Sequence, residues 1–352
     1  MNPTLVTATA ESTGKTAVAL GLARLAAERG RAVGYMKPKG TRLQSNVGKT
    51  LDEDPLLARD LLDLTADAGD LEPVVYSPTF VAEALRGRED PVAVRERVRE
   101  AYDSLATGRD WMVLEGGGLV AGGVVDLTDA DVADLLDARS VLVAGYADVR
   151  DVDPVLAAVD DLGDSLAGVL FNRVPEGARE ELNAVVAPFL EGRDVPVLGA
   201  LPRVPDLAGV SVAELARELG ARVLTTEAPT DVLLERFTVG AMSGEVALRH
   251  FRRVSDAAVI TGGDRPEIQT AALDAPGVRC LLLTGGREPP GTVLGRAEEA
   301  GVPVLLVQSD TITTVERAED VVSSGRTRDA ETVARMRSLL TDHADVDALL
   351  GD

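Results

Sequence analysis

Short apolar runs alternate with longer segments of helical spacing from the first residues of the chain onward. Thr4 to Ala8, Ala32 to Met36, Trp111 to Leu114, Val141 to Gly145, Ala167 to Phe171 and Val195 to Leu198 are apolar on both faces, as strands buried in a parallel sheet are. Between them Lys15 to Arg29, Asp54 to Leu64, Pro91 to Ala106, Asp151 to Leu162, Glu176 to Leu190 and Ser211 to Leu219 read as helices. This alternation predicts a doubly wound, mostly parallel α/β sheet.

The pattern pauses in the polar stretch Thr225-Thr226-Glu227-Ala228-Pro229-Thr230, which places a domain boundary there: residues 1–225 form one domain and 230–352 a smaller α/β domain. In the second, a helix is expected at Met242 to His250 and strands at Ala257 to Thr261, Cys280 to Thr284 and Val302 to Val307. It contains a weak internal echo: Thr261-Gly262-Gly263 and Thr284-Gly285-Gly286 each end a strand and precede a proline-started helix, 23 residues apart. Asp329 to Leu350 reads as a charged amphipathic helical tail.

Composition narrows the function. The 352 residues hold 36 Lys and Arg against 58 Asp and Glu, a formal charge of −22, which argues against nucleic acid as a partner. Only four cations are lysine, Lys15, Lys37, Lys39 and Lys49, all in the first 49 positions. An acidic, lysine-poor chain that is 45% hydrophobic resembles cytoplasmic proteins of salt-loving organisms, so most of the charge reads as adaptation to salt. No apolar run approaches the roughly 20 residues that span a bilayer, and the start of the chain does not read as a secretory leader. A soluble, cytoplasmic protein without a membrane partner is expected. The single Cys280 lies in an apolar run and reads as a core residue; two distant histidines, His250 and His343, argue against a zinc site or a Ser-His-Asp triad.

Chemistry concentrates after the first strand. Ser12-Thr13-Gly14-Lys15-Thr16 opens the first helix, the context of a phosphate-binding loop: backbone N–H groups cradle phosphate, Lys15 reaches its oxygens and the Thr16 hydroxyl ligates Mg²⁺. The upstream glycine of such loops is missing, with Thr9 in its place. Trp111 to Gly118 is an apolar strand ending in Glu115-Gly116-Gly117-Gly118, where an acid can help hold Mg²⁺; the plainer reading is a glycine-rich turn with a solvated glutamate.

In order, Gly14-Lys15-Thr16, Gly34-Tyr35-Met36-Lys37-Pro38, Asp52-Glu53-Asp54, Glu115-Gly116-Gly117-Gly118, Gly168-Val169-Leu170-Phe171-Asn172-Arg173 and Leu198-Gly199-Ala200-Leu201-Pro202 resemble the dethiobiotin synthetase-like P-loop domain over about residues 1 to 220. Val239-Gly240-Ala241-Met242-Ser243 and Thr261-Gly262-Gly263-Asp264-Arg265 resemble the DRTGG domain, although Pro266-Glu267-Ile268 departs from its signature. Together the two are similar to the non-catalytic N-terminal region of long phosphotransacetylases, and because they cover the whole of these 352 residues no acetyltransferase domain is expected among them.

The resemblance implies ATP and Mg²⁺ as ligands. It implies metal contacts from Thr16, Asp54 and Glu115; nucleotide contacts from Ser12, Thr13, Gly14, Lys15, Thr16, Gly116 and Gly117; and base recognition by Asn172 near Pro202. Lys37 matches the lysine that binds the reacting carbamate and phosphate in dethiobiotin synthetases, so Lys37 and Lys15 are the catalytic candidates. Lys39 and Arg42 add a basic loop suited to a small anionic second ligand. Ala8 and Ser12 replace glycines of the family.

Three functions follow as alternatives: a regulatory or sensor module of acetyl-CoA metabolism, whose second domain regulates or forms a homodimer; an ATP-dependent ligase that activates a carboxylate or carbamate; and a degenerate scaffold without nucleotide. Asp264 and Arg265 stand equally as ligand contacts or as a helix cap.

Overall fold

The computed structural model describes residues 3–40, 44–46, 49–204, 207, 209–234, 236–240, 242, 244–323 and 329–352. Arg42, Ala241 and Ser243 lie outside them. Two compact units are present, one of Met1–Arg203 with Arg326–Asp352 and one of Val204–Gly325.

The first unit is built on six parallel strands: β1 (Thr4–Ala8), β2 (Val33–Met36), β3 (Trp111–Glu115), β4 (Arg139–Gly145), β5 (Leu166–Val174) and β6 (Val197–Pro202), in the spatial order β6-β5-β4-β1-β3-β2. Every residue of β1, β2 and β3 is buried, as their two-sided apolar pattern requires. The chain passes from β1 to β2, returns to β3, then crosses to β4 on the other side of β1. The carboxyl ends of β1 and β3 therefore lie side by side at a reversal of strand order, the crevice where open α/β sheets bind ligands. Val6 pairs with Glu115 in this register.

Helices α1 (Lys15–Glu28), α2 (Glu53–Leu61), α3 (Pro91–Ala106), α4 (Asp129–Leu136) and α5 (Val152–Leu162) connect and cover these strands, and α2, α3 and α4 begin at side-chain caps. Asp52 caps α2 through the N–H of Asp54, Asp90 caps α3 ahead of Pro91, and Thr128 with Asp131 forms a capping box on α4. The helix expected over 176–190 is instead a 3₁₀ turn, a short α-turn and a π-turn (Leu182–Val186) followed by Ala187–Glu191. Pro188 has no N–H for the usual bond four residues back, which suits the widened turn before it.

The second unit contains α6 (Val212–Leu219), α7 (Gly244–Phe251), α8 (Pro266–Leu273), α9 (Gly291–Ala300) and α10 (Thr311–Ser323) around a five-stranded sheet. That sheet is ordered β7-β11-β10-β9-β8, from β7 (Arg222–Val223), β8 (Arg236–Val239), β9 (Ala257–Gly262), β10 (Val278–Thr284) and β11 (Val304–Leu306); the β7–β11 pair alone is antiparallel. Cys280 is fully buried within β10. The two Thr-Gly-Gly turns stand together, with the Gly263 N–H donating to Thr284 O, and a Cβ on Gly263 would fall 1.8 Å from Arg287 O. Arg265 donates to Gly240 O and Met242 O, while Asp264 pairs with Arg287.

The partition differs from the boundary expected at 225–230. Residues 204–229 join the second unit because β7 pairs with β11. The tail joins the first: α11 (Ala330–His343) packs on α1 and β6, with Gly21 of α1 facing Leu340 and Met336, and Gly199 bridging Ala344. Arg139 holds the last short helix by donating to the carbonyls of Ala348 and Leu349, and Arg29 and Arg31 pair with Asp352.

Candidate functional site

The phosphate loop leaves β1 after Ala8. Ala8 continues the strand, so no glycine is needed there; positive φ falls on Ser12 (59°) and on Gly14 (94°). Asn172, at the end of β5, donates from Nδ2 to Thr13 O at 2.7 Å and accepts at Oδ1 from the N–H of Arg173. A Cβ on Gly14 would lie 2.4 Å from that Nδ2, so Gly14 answers both to its φ and to Asn172. The amide expected to read a base is thus engaged at both ends inside the protein. Pro202 ends β6 opposite Val174, on the strand next to Asn172.

Gly14 caps α1 with no side-chain hydrogen bond, and the first turn holds no acidic residue, so the positive end of the helix faces the loop. Thr16 is buried in that turn. Its Oγ1 donates to Glu115 Oε1 at 2.8 Å and stands 3.3 Å from Asp54 Oδ2. The three residues expected to ligate metal, from the starts of α1 and α2 and the end of β3, therefore meet.

Lys37 meets them as well. Its ammonium lies 2.5 Å from Asp52 Oδ2, 2.6 Å from Asp54 Oδ2 and 3.3 Å from Glu115 Oε1. Tyr35 donates to Glu115 Oε2 at 2.7 Å. Glu72, which is 5% exposed, accepts the Asp52 N–H with Oε2 and has no partner for Oε1, against Gly40, among the described residues, while Leu71 O accepts the Lys37 N–H.

Burial raises the Glu115 carboxyl to about 7, with Asp54 adding to the effect and Lys37 opposing it. Burial and then Asp52 push Glu72 to about 7, and burial also raises Asp52. Burial works against the charge on Lys37, but Glu115, Asp54 and Asp52 outweigh it and hold its pKa above the ordinary value. Lys15 is close enough to lower both Glu115 and Asp129.

A second buried pair lies behind the first. Lys39 is fully buried and donates to Asp129 Oδ1 at 2.8 Å and to Leu127 O at 2.7 Å. Asp129 also accepts from Thr7 Oγ1 at 2.5 Å and from the N–H groups of Gly117 and Gly118. Burial raises this carboxyl, yet Lys39, Lys15 and the hydrogen bonds leave it lowered. Lys39 is thereby a counter-ion of Asp129 and not a free charge for a second ligand. The Gly116 N–H goes to Val6 O, and a Cβ at Gly116 or Gly117 would collide with Asp129 or Lys39. These glycines, expected to approach phosphate, make room for the ion pair.

One hydroxyl and two carboxylates form a hard-oxygen set suited to Mg²⁺, which takes one or two carboxylates and completes its shell with water and phosphate. The set fits that ion also in charge, because three buried carboxylates surround one ammonium. Among the described residues no group of three or more His, Cys, Asp or Glu side chains is arranged to hold a metal alone. Thr7, Glu72 and Asp129 carry no sequence signal of this role, and Tyr35 stands in the Gly34-Tyr35-Met36-Lys37-Pro38 motif without one. Asp52 stood in the motif without a role.

Residues 3–211 match the family model described as an AAA domain. The chain belongs to that family. After the AAA domain, residues 214–321 match the DRTGG domain. The phosphate acetyltransferase of Pseudomonas putida (strain KT2440) is 26% identical over 358 residues, covering 94% of this chain and 49% of that protein. The phosphate acetyltransferase of Escherichia coli (strain K12) is 30% identical over 168 residues, covering 46% of this chain and 23% of that protein. The chain spans about half the length, or less, of these relatives. This AAA and DRTGG pairing thus corresponds to an N-terminal-like region of phosphotransacetylases. Among solved structures, the MinD cell division protein of Aquifex aeolicus aligns with a TM-score of 0.37 and 15% identity, over 59% of this chain and 84% of that one. Among the described residues no helix is long and apolar enough to cross a membrane.

Proposed function

We propose that the first unit binds ATP with Mg²⁺ and that the chain works as a regulatory or sensor module in acetyl-CoA metabolism. The observation that carries the reading is the meeting of Thr16, Asp54 and Glu115 beside the phosphate loop and the uncapped start of α1. Lys15 and the first-turn N–H groups would hold the phosphates, Thr16, Asp54 and Glu115 the metal. When bound, Mg²⁺ neutralises phosphate charge and fixes the orientation of the chain of phosphates. Asn172 keeps the loop in shape by bonding Thr13 O, and the base would lie toward the ends of β5 and β6 near Pro202.

The regulatory part of the reading rests on the family match and on the second unit, which we assign to regulation or homodimer formation. Nucleotide can shift an equilibrium in the second unit only if it binds one arrangement better than another. Thermal unfolding in multimolar KCl tests the reading. Mg-ATP is expected to raise the midpoint, since a ligand specific to the native state stabilises it. An unchanged midpoint would favour a scaffold that has lost nucleotide.

A second reading is favoured by Lys37, whose ammonium lies 2.6 Å from Asp54 and 3.3 Å from Glu115. A lysine so close to the metal ligands suits an ATP-dependent ligase that activates a small carboxylate or carbamate as its acyl phosphate, with Lys37 steadying charge on the transferring group. ADP release that depends on an added small acid and is lost in Lys37→Ala would support it; silence across a panel of acids supports the sensor.

A further inference from the structure

The geometry points to a cation exchange built into this site: the Lys37 ammonium and a divalent metal are alternative occupants of one acidic cup, and metal arrival frees Lys37 from two of its three carboxylates. The inference rests on the nucleotide and metal reading above and adds how that site is regulated.

The two oxygens that face the Thr16 hydroxyl, Glu115 Oε1 and Asp54 Oδ2, are the same two that contact Lys37 Nζ, at 3.3 and 2.6 Å. A metal held by Thr16, Asp54 and Glu115 would need those oxygens. An ammonium and a divalent cation a few ångströms apart repel strongly in a buried site, so both cannot use them together.

Asp52 decides where the ammonium goes. It makes the shortest contact to Lys37, at 2.5 Å, and is not among the Thr16 partners. Its position is fixed from two sides: Oδ1 accepts the Asp54 N–H, and the Asp52 N–H donates to the buried Glu72. Asp52 can therefore keep Lys37 at the site while Asp54 and Glu115 turn to metal. In the cation-free state Lys37 holds the three carboxylates together; once metal takes two of them, its charge becomes available to a second anion. Metal-nucleotide would thus bind before that anion.

A permanent structural lysine predicts the opposite. Removing it would let the carboxylates spread and would weaken metal binding, whereas removing a competitor strengthens it.

The test measures Mn²⁺ alone, by electron paramagnetic resonance of free ion, on the full chain in high KCl. Lys37→Met is expected to bind Mn²⁺ about tenfold or more tighter than wild type, from the loss of a competing charge at contact distance. Lys37→Gln, which keeps N–H donors without the charge and guards against misfolding of the first variant, carries the same expectation. In thermal unfolding the Mn²⁺-induced rise should be larger for Lys37→Met than for wild type. Equal or weaker Mn²⁺ binding by both neutral variants overturns the exchange while leaving the metal site standing. No Mn²⁺ bound by wild type or by any variant overturns both.

Discussion

Thr16 Oγ1 stands 2.8 Å from Glu115 Oε1, joining the first turn of α1 to the last residue of β3 across 99 positions of sequence. If the contact marks a metal site, Glu115→Gln should lower Mg-ATP affinity by about ten- to a hundredfold while the metal-free fold survives. The metal-free midpoint should hold or rise, because burial already disfavours the ionised carboxyl. Thermal shifts with and without Mg²⁺ check this; a variant that keeps the full Mg²⁺-dependent shift contradicts the assignment.

Glu72 gives the pH dependence. Its folded carboxyl is raised to about 7 from an ordinary 4.5, so its contribution is fully present below pH 4.5 and is lost as pH rises through about 7. Glu72→Gln can still accept the Asp52 N–H but cannot ionise. Without divalent cation, the variant should gain stability relative to wild type as pH rises from about 5 to about 7, and the gap should level off above that. Chemical denaturation at several pH values reads the difference. A constant or shrinking gap would show that Glu72 does not titrate there.

Asp129 should carry a large share of local stability. It is fully buried and accepts from Lys39, Thr7, Gly117 and Gly118. Asp129→Leu strands a buried ammonium and should cost about 3–5 kcal/mol. Pairing it with Lys39→Met should recover much of that loss in a double-mutant cycle, whereas additive losses would mean the ion pair is not the coupled unit.

Gly14 is expected to separate loop function from global stability. Gly14→Ala places a Cβ 2.4 Å from Asn172 Nδ2 at a φ of 94°. The strain is local and of order 1–3 kcal/mol. Equilibrium ATP binding should be lost while the midpoint falls by only a few degrees.

The formal charge of −22 makes a prediction of its own. If it is an adaptation to salt, raising KCl should lift the thermal midpoint continuously through the molar range, as surface repulsion is screened. A midpoint flat from low to multimolar KCl would remove that explanation. Of the four lysines, Lys37 and Lys39 are buried counter-ions of carboxylates. A compact ammonium fits among them where a guanidinium would need more room.

Strands β1 to β6 were legible because each is apolar on both faces, and the phosphate loop because all of Gly14-Lys15-Thr16 is local. The supporting groups were not. Thr7 reaches Asp129 across 122 positions and Tyr35 reaches Glu115 across 80, and only the topology of the sheet brings such residues together. The place of the tail in the first unit is not legible, because amphipathic spacing does not say which core a helix covers. A signal lay in α1 itself: Ala17 to Ala26 is almost wholly buried, more than a sheet on one side explains, and α11 supplies the other cover.

The most direct test of the account is calorimetric titration of ATP into the protein in multimolar KCl, with Mg²⁺ and again with the divalent cation chelated. The account predicts saturable binding near one nucleotide per chain, dependent on Mg²⁺ and lost in Thr16→Val. Absence of binding in both buffers, or binding indifferent to Mg²⁺ and to Thr16, would contradict it.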